Sequence, residues 1–254
     1  MTRVSVVIPT YNTAAMTQRC VRAVRDAEVI VVDDGSTDGT AELLGENVLR
    51  LEENRGFAVA ANAGVAASTG EIIVLLNSDA VVEPDALVAF LRAFDANPRL
   101  GVVGAQLLNE DGSPQWSGGA APTLLWMLAA VSGAGRFARH FRRKRSEPRR
   151  EVDWVSGAAM AFRREVWERC GPLDTTYRFY CQDIDFSLAA RAAGWEVCIV
   201  PEARVVHGLG RTIKANNALH RRILAADLLT WGGRRYGRAW LLPARILIAI
   251  AAMV

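Results

Sequence analysis

The chain lacks the features that mark several common classes of protein. Its four cysteines, Cys20, Cys170, Cys181 and Cys198, are far apart and form no Cys-x-x-Cys pair. Neither a disulfide framework nor a zinc ribbon is therefore expected, and reduced thiols in a cytosolic protein are the default. No run of about 18 apolar residues supports an ordinary transmembrane helix. The first residues lack the basic and long apolar regions of a signal peptide, so none is expected.

Glycine-rich nucleotide loops are also missing. Neither Gly-x-Gly-x-x-Gly nor the Walker sequence follows the first apolar strand, which disfavours dinucleotide-dependent and P-loop chemistry. What is present is a globular composition, with 51% hydrophobic and 22% charged residues, which argues against a disordered chain. The length of 254 residues allows one large domain or two small ones, with a sizeable core.

Positive charge is concentrated in one segment. Residues 136–150 hold eight lysines and arginines against one acid, Glu147, whereas the net charge of the whole chain is only +3. The rest of the chain is therefore net acidic. A local basic patch on an acidic body does not indicate a general nucleic-acid-binding protein, and no nucleic-acid partner is expected.

Short apolar strands alternate with helices over the first hundred residues. Strands are predicted at Val4–Pro9, Glu28–Asp33, Asn47–Leu51, Glu71–Leu76 and Gly101–Leu107, and helices at Thr13–Arg25, Thr37–Leu44, Gly56–Ser68 and Pro84–Asn97. Further on, strands are predicted at Trp154–Phe162 and Trp195–Pro201, and helices at Arg164–Cys170, Asp183–Gly194 and Ala218–Trp231. This alternation predicts an α/β fold with a mostly parallel central sheet and helices on both faces.

Polar clusters follow three of the predicted strands. Pro9–Asn12 follows the first strand, Asp33–Asp38 the second and Asn77–Asp79 the fourth. Each cluster alone is explained as well by a helix cap or an Asx turn. The carboxyl ends of parallel strands share one edge of the sheet, so the three together would converge on one crevice, which is where open α/β sheets bind ligands.

Asp79 is the strongest candidate for a functional residue in these clusters because it closely follows a buried apolar strand. A carboxylate there can bind a hard divalent cation, Mg²⁺ or Mn²⁺, that also takes phosphate oxygens. Capping the helix that starts at Pro84 explains Asp79 equally well.

Two further features remain open to two explanations. Asp183 and Asp185 precede an amphipathic helix, where one would cap the helix and the other could act as a general base. His207 precedes Gly208. A lone histidine is more often structural than a metal ligand, although the neighbouring glycine favours a close backbone approach.

Five segments taken together resemble a known family in their order and spacing. They are Val6–Asn12, Val31–Asp38, Asn54–Gly64, Leu75–Asp79 and the block Trp154–Trp195. They resemble the family 2 glycosyltransferases of the GT-A fold, a Rossmann-like nucleotide-diphospho-sugar transferase fold. Within that family they are most similar to the bacterial rhamnosyltransferase-like group that builds cell-surface polysaccharides. The resemblance covers roughly residues 3–210.

The resemblance implies a role for each matching residue. Nucleotide-sugar binding would fall to Thr10, Tyr11, Asn12, Asp33, Asp34, Arg55, Gly56, Asn62, Asn77 and Ser78. The metal, Mg²⁺ or Mn²⁺, would be held by Asp79 and His207, and Asp183 would be the catalytic base. The sugar and acceptor pocket would be shaped by Trp154, Gly157 and Gln182.

Two positions depart from the family pattern. Asn77 stands where the first Asp of the Asp-x-Asp metal motif is usual, which leaves one fewer charge on the metal. Gln182 replaces the usual Glu before the base, so the activity level or the acceptor type is in question. Asp183 itself is present, and an inactive enzyme is not inferred.

The implied reaction is an inverting, metal-dependent sugar transfer from a nucleotide diphosphate to a cell-surface polysaccharide or lipid-linked glycan, with dTDP-rhamnose the favoured donor. Two alternatives stay open at this point. One is a non-catalytic nucleotide-sugar-binding or scaffold subunit of a glycan-assembly complex, which Gln182 suggests. The other is a nucleotidyltransferase or another Rossmann-like nucleotide enzyme.

The predicted organisation has three parts. Residues 1–107 would form the donor-binding half, residues 108–215 the acceptor-binding and catalytic half of the same domain, and residues 216–254 an amphipathic helix and an apolar tail. The apolar stretches at 123–131 and 239–254 and the basic patch between them would suit a cytoplasmic enzyme resting on the anionic inner leaflet, where each basic residue adds about 1 kcal/mol. A core helix, a solvated loop and a dimer contact in an oligomer are the ordinary explanations.

Overall fold

The structure is a computed structural model. It describes residues 3–24, 26–45, 48–131, 150–208 and 217–237, together with positions 239, 242, 243 and 246. Most of the basic segment and most of the apolar tail therefore lie outside the described residues.

The described chain holds strands and helices that match the predicted alternation over the first hundred residues. The strands are β1 (Val4–Thr10), β2 (Glu28–Asp33), β3 (Val48–Arg50), β4 (Ile72–Leu76), β5 (Ala80–Val82), β6 (Leu100–Leu108), β7 (Gly118–Gly119), β8 (Arg150–Glu151), β9 (Trp154–Val155), β10 (Ala159–Arg163) and β11 (Glu196–His207). The helices are α1 (Ala14–Ala23), α2 (Thr40–Leu44), α3 (Phe57–Ala67), α4 (Ala86–Ala96), α5 (Leu124–Val131), α6 (Arg164–Cys170), α7 (Gln182–Ala192) and α8 (Asn217–Tyr236).

One large sheet organises the fold. Its strand order is β3-β2-β1-β4-β10-β6-β11-β5, and β8 pairs with β11. β3, β2, β1 and β4 are parallel neighbours. β10 runs antiparallel to both β4 and β6, and β5 runs antiparallel to β11. Six of the eight strands along this path therefore point the same way, and the predicted mostly parallel α/β sheet is confirmed.

Helices cover both faces of this sheet. Neighbouring strand residues point to opposite faces, so Ile8 packs into one apolar cluster with Phe90 of α4, while Val7 packs into the other with Ala61 of α3. Burial on both faces explains why the strands read as nearly continuous apolar runs. Gly64 allows close packing of α3, since a Cβ there would lie only 2.3 Å from Cγ1 of Val7.

The prediction of one strand at Trp154–Phe162 is wrong. The segment forms two strands in different sheets, because β9 pairs with β7 whereas β10 lies between β4 and β6. The chain breaks between them at Ser156–Ala158, where the N–H of Gly157 donates to a side chain of α7 rather than to a strand.

The end of the sheet also differs from the prediction. β11 continues past Pro201 to His207, with a register shift between Val200 and Arg204. Proline lacks the N–H that a ladder needs, so an interruption there is expected. Beyond it, β11 pairs with β5, a three-residue strand that is too short to give a sequence signal, and His207 lies opposite Ala80.

The C-terminal helix packs on the second half of the molecule. Leu228 and Trp231 of α8 share an apolar cluster with Tyr177, Cys181 and Ile184. The four cysteines are all described, and all are free thiols. Among the described helices, none combines the length and apolar composition that crossing a bilayer requires.

Candidate active site

The three polar clusters that follow β1, β2 and β4 meet at one edge of the sheet, as predicted. The N–H of Asp34 donates to the carbonyl of Thr10 at 2.8 Å. Asn12 bridges the first two clusters, because its N–H donates to Oγ of Ser36 at 2.9 Å and its Oδ1 accepts from the N–H of Thr37 at 2.8 Å. Asn12 has a φ of 52°, a left-handed conformation that asparagine tolerates well.

A buried set of hydroxyls joins the third cluster to the first. Oγ of Ser78 lies 3.0 Å from Oγ1 of Thr13, which in turn lies 2.8 Å from Oγ1 of Thr10. Thr10 and Thr17 complete the set at 2.7 Å. The three threonines are buried and Ser78 is half-buried, whereas the Tyr11 side chain of the same region is 42% exposed.

Asp33 and Asp34 are both buried but have different surroundings. Oδ1 of Asp33 accepts from the N–H of Ser36 at 3.0 Å, and Arg50 Nε lies 3.8 Å from its Oδ2. The turn that follows these two residues requires glycine at its first position. Gly35 has a φ of 75°, and a Cβ there would lie 2.6 Å from the backbone of Glu53. Asp33 therefore supports the turn through the N–H of Ser36.

Asp34 anchors the segment that leads into α3. Its two carboxylate oxygens accept the N–H groups of Arg55 and Gly56, each at 2.8 Å. Burial raises the pKa of Asp34, and these two backbone hydrogen bonds act in the opposite direction. Arg55 is exposed at the crevice. Asn62 instead uses its amide on the backbone of Leu173, at 2.9 and 3.0 Å.

Asp79 and His207 lie together, although they are distant in sequence. Nε2 of His207 is 3.2 Å from Oδ1 of Asp79, and the Asn77 amide nitrogen lies 3.2 Å from the same Nε2. The Asp79 and His207 side chains are only 14% and 13% exposed. The β5–β11 pairing produces this contact, which the N–H of Gly208 completes by donating to the carbonyl of Asp79 at 3.0 Å.

Gln115 orients the imidazole of His207 and was not identified from the sequence. Its Nε2 donates to the carbonyls of His207 and Leu108, at 2.6 and 3.1 Å, which places its Oε1 toward Nδ1 of His207 at 3.1 Å. An N–H at Nδ1 would donate to this oxygen, and Nε2 faces Oδ1 of Asp79 at 3.2 Å. Glutamine in a turn gives no sequence signal of its own for such a role.

Asp183 opens α7 on the other side of the crevice. Its Oδ2 accepts the N–H of Gly157 at 2.9 Å, and its Oδ1 accepts the N–H of Ile184 at 2.9 Å. Burial raises the pKa of Asp183, and these backbone hydrogen bonds only partly oppose that effect. One residue beyond Gly157, the carbonyl of Ala158 accepts the N–H of Asn77 at 3.0 Å. The base candidate and the Asn77–Asp79 cluster are thus held by consecutive residues of one turn.

Gln182 and Trp154, which the resemblance assigns to the sugar and acceptor pocket, are both buried. Gln182 is 4% exposed, and its Nε2 donates to the carbonyl of Phe179 at 2.8 Å. Within the described part of the chain, its buried Oε1 has no hydrogen-bond partner. Trp154 is buried, donates from Nε1 to the carbonyl of Ala120 at 3.0 Å, and meets Trp116 edge to face at 4.8 Å.

Comparison with known proteins identifies the family of this chain. The family model described as glycosyl transferase family 2 matches residues 5–171. The chain belongs to this family. The predicted resemblance is therefore confirmed, and the nucleotidyltransferase alternative gives way to a glycosyltransferase.

Two bacterial enzymes are among the relatives of this glycosyltransferase. It is 28% identical over 244 residues to N-acetylglucosaminyl-diphospho-decaprenol L-rhamnosyltransferase of Mycobacterium tuberculosis, which covers 87% of this chain and 79% of that protein. A shorter stretch of 124 residues is 39% identical to chondroitin synthase of Pasteurella multocida, covering 43% of this chain and 13% of the synthase.

Solved structures show the same fold. A mannosyltransferase from Pyrobaculum calidifontis in complex with GDP-Man and Mn²⁺ aligns with a TM-score of 0.64 and 22% identity, covering 99% of this chain and 75% of that one. TarS of S. aureus in complex with UDP aligns with a TM-score of 0.60 and 18% identity, covering 91% and 72%. The predicted GT-A fold of this glycosyltransferase is confirmed.

Proposed function

We propose that this glycosyltransferase transfers a sugar from a nucleotide diphosphate to an acceptor hydroxyl with inversion at the anomeric carbon. The observation that carries the proposal is the turn at Gly157–Ala158, which holds Asp183 on one side and the Asn77–Asp79 cluster on the other. A single in-line displacement needs a base on one face of the sugar and support for the leaving group on the opposite face. The residues proposed for these two roles are held by this one turn, which supports the proposal.

Asp183 is the proposed base. Its carboxylate is held by two backbone N–H groups, so it is oriented without a neighbouring side chain. Burial raises its pKa and so makes it a stronger proton acceptor than an exposed aspartate. Proton removal from the acceptor hydroxyl by a positioned carboxylate typically contributes about 10²–10⁴-fold to the rate.

Asp79 and His207 are the proposed protein ligands of a divalent metal. Their facing atoms, Oδ1 and Nε2, suit a cation that takes both carboxylate and imidazole, such as Mn²⁺. In the described part of the chain, no three histidine, cysteine or acidic residues form a complete metal cage, so the diphosphate oxygens would supply the other ligands. When bound, the metal would neutralise charge on the leaving diphosphate.

The nucleotide would lie along the clusters that follow β1 and β2. Tyr11 of the first cluster and Arg55, which precedes α3, have exposed side chains and would contact it directly. Asn12, Asp33 and Asp34 would act by holding the backbone that faces it, since their polar atoms are already bonded to that backbone.

Rhamnose from dTDP-rhamnose is the proposed donor, and a lipid-linked glycan is the proposed acceptor. Support comes from the printed name of the mycobacterial relative, an L-rhamnosyltransferase whose name includes N-acetylglucosaminyl-diphospho-decaprenol. The identity of 28% supports the class of reaction more strongly than either substrate. The donor is therefore left to direct measurement.

The test is a thermal-shift panel of dTDP, UDP and GDP, each with and without Mn²⁺. A ligand at 100 times its Kd stabilises the fold by about 2.7 kcal/mol, so the correct diphosphate should raise the melting temperature, and Mn²⁺ should increase that rise. Asp79→Asn should remove the Mn²⁺ increment, whereas Asp111→Asn at an exposed turn should keep it. A shift with dTDP supports rhamnose. No shift with any diphosphate would contradict the proposal and favour the scaffold alternative.

A further inference from the structure

Asp227 of α8 is a buried acid with no role in the scheme above. It is 4% exposed, and its carboxylate accepts three consecutive backbone N–H groups. Oδ1 accepts from Arg178 at 3.0 Å, and Oδ2 accepts from Phe179 at 3.0 Å and Tyr180 at 2.8 Å. A buried carboxylate is costly unless its oxygens are hydrogen-bonded. Here they are used to fix one stretch of backbone.

That stretch belongs to the α6–α7 loop, residues 171–181, which touches the donor side of the crevice. The carbonyl of Arg178 lies 3.0 Å from the position that a Cβ on Gly56 would occupy. The Phe179 ring meets Phe57 edge to face, with centroids 6.5 Å apart. Gly56 and Phe57 begin α3, and Gly56 is one of the two residues that Asp34 holds. The loop therefore packs against the segment proposed to face the nucleotide.

The same loop also sets the start of α7. The carbonyl of Phe179 accepts from Gln182 at 2.8 Å, directly before the proposed base. Cys181 adopts a φ of 74°, and its carbonyl accepts the N–H of Asp185 at 2.9 Å in the first turn of the helix. Any shift of the loop backbone at 178–180 would therefore be passed to the first turn of α7, which carries Asp183.

A second residue of α8 contacts the loop before residues 178–180. Arg234 pairs with Asp174, and its guanidinium lies 5.4 Å from the centroid of the Tyr177 ring. The Tyr177 hydroxyl donates to Oδ2 of Asp185 at 2.9 Å. Asp227 and Arg234, which lie two turns apart on α8, therefore contact the loop at two places. Of the two, Asp227 binds the loop entirely through backbone N–H groups.

We propose that Asp227 is a positioning residue of the transfer reaction, acting through the α6–α7 loop on both the nucleotide segment and the base. This inference rests on the proposed function, because it assigns the loop a part in donor binding and in catalysis. It also places a residue of the active unit beyond residues 5–171, the part that the family model matches. Only a carboxylate supplies two oxygens for three N–H donors, since an asparagine would turn an NH₂ group toward one of them.

The test compares Asp227→Asn with Thr230→Ala, an exposed position on the same helix. Both are measured below their melting temperatures. Asp227→Asn should weaken binding of the diphosphate identified in the thermal-shift panel and lower kcat, each by roughly tenfold, while Thr230→Ala should match the wild type. A merely structural role would lower the melting temperature but leave the affinity and kcat of the folded protein unchanged, and that result would overturn the proposal.

Amide hydrogen exchange gives a readout that needs neither catalysis nor a folded variant. In the wild-type protein, the N–H groups of residues 178–180 should exchange slowly, and rapid exchange there would overturn the inference. If the wild type binds no nucleotide although these amides are protected, the proposed function fails while the Asp227 contact stands. If Asp227→Asn does not fold, Arg234→Gln tests the same loop from its other contact. It should lower kcat by a smaller factor, and an unchanged kcat would count against the loop's role.

Discussion

Asp183 carries its charge in surroundings that disfavour it, and this has a consequence for stability. Burial raises its pKa in the folded protein above the ordinary value of about 3.9. The ionised carboxylate therefore costs folding free energy once the pH exceeds that unfolded value, and the cost is absent at pH values where both states are protonated. Ionisation of the proposed base therefore lowers the stability of the folded protein.

Asp183→Asn should abolish transfer and remove the pH-dependent cost of the buried charge. Its NH₂ group would face one of the two N–H donors, which adds a cost that does not change with pH. Relative to the wild type, the free energy of unfolding of the variant should therefore rise as the pH increases above the unfolded pKa, which denaturant unfolding at a series of pH values would measure. Asp95→Asn is the control of opposite sign, because the hydrogen bond from Arg3 lowers the pKa of that exposed acid. Transfer that survives in Asp183→Asn would contradict the base assignment.

Gln115 offers a second test at the residue scale. Its Oε1 lies 3.1 Å from Nδ1 of His207, and hydrogen-bond partners of a metal-ligating histidine typically change metal affinity by about 10–100-fold. Gln115→Leu should therefore weaken Mn²⁺ binding, measured by titration in the presence of the diphosphate and without turnover. Gln106→Leu is the matched control, since Gln106 is also half-buried and also donates to a backbone carbonyl. Equal Mn²⁺ affinity in the two variants would contradict a role for Gln115 in metal binding.

At the scale of elements, the sequence predicts what regular patterns encode. The apolar runs of β1, β2 and β4 and the helices between them follow from burial on both faces of the sheet. The convergence of Thr10, Asp34 and Ser78 also follows from those strands. It requires only that β1, β2 and β4 be parallel neighbours in the sheet. This part of the crevice is predictable from local pattern alone.

Contacts between distant segments are not predictable in the same way. The break at Ser156–Ala158 depends on Gly157 meeting Asp183, and β5 exists because β11 continues past Pro201 to pair with it. Gln115 and Asp227 act on residues far away in the chain, so their neighbours in sequence give no hint of their function. The family resemblance supplied His207 and Asp183, whereas only the fold shows what holds them.

At the scale of the whole molecule, several exposed apolar side chains bear on the membrane association proposed from the sequence. Leu124 and Leu125 begin α5 and are 39% and 78% exposed, and Leu242 and Ile246 are 68% and 52% exposed. The basic residues of 136–150 follow α5 directly in sequence. Exposed apolar side chains together with a basic segment next to them in sequence are the combination that anionic membranes attract.

Vesicle flotation tests this association. The protein should float with anionic vesicles at low salt, float less at high salt because the charges are screened, and stay unbound with neutral vesicles. Leu125→Glu should reduce flotation, since it adds a negative charge to a side chain that is already exposed, while Val88→Glu on the exposed side of α4 should not. Absence of binding to anionic vesicles at low salt would contradict the membrane proposal.

The pairing of His207 with Asp79 also bears on how the protein is made. His207 lies 130 residues beyond Asn77, so during synthesis the donor-side strands emerge from the ribosome long before the histidine that completes their cluster. The nascent chain can form β1, β2 and β4 early, yet it cannot hold a metal through both residues until β11 has been translated and has docked as the next-to-last strand of the sheet path. If Asp79 and His207 hold the metal as proposed, binding through both residues is therefore restricted to chains whose translation has passed β11.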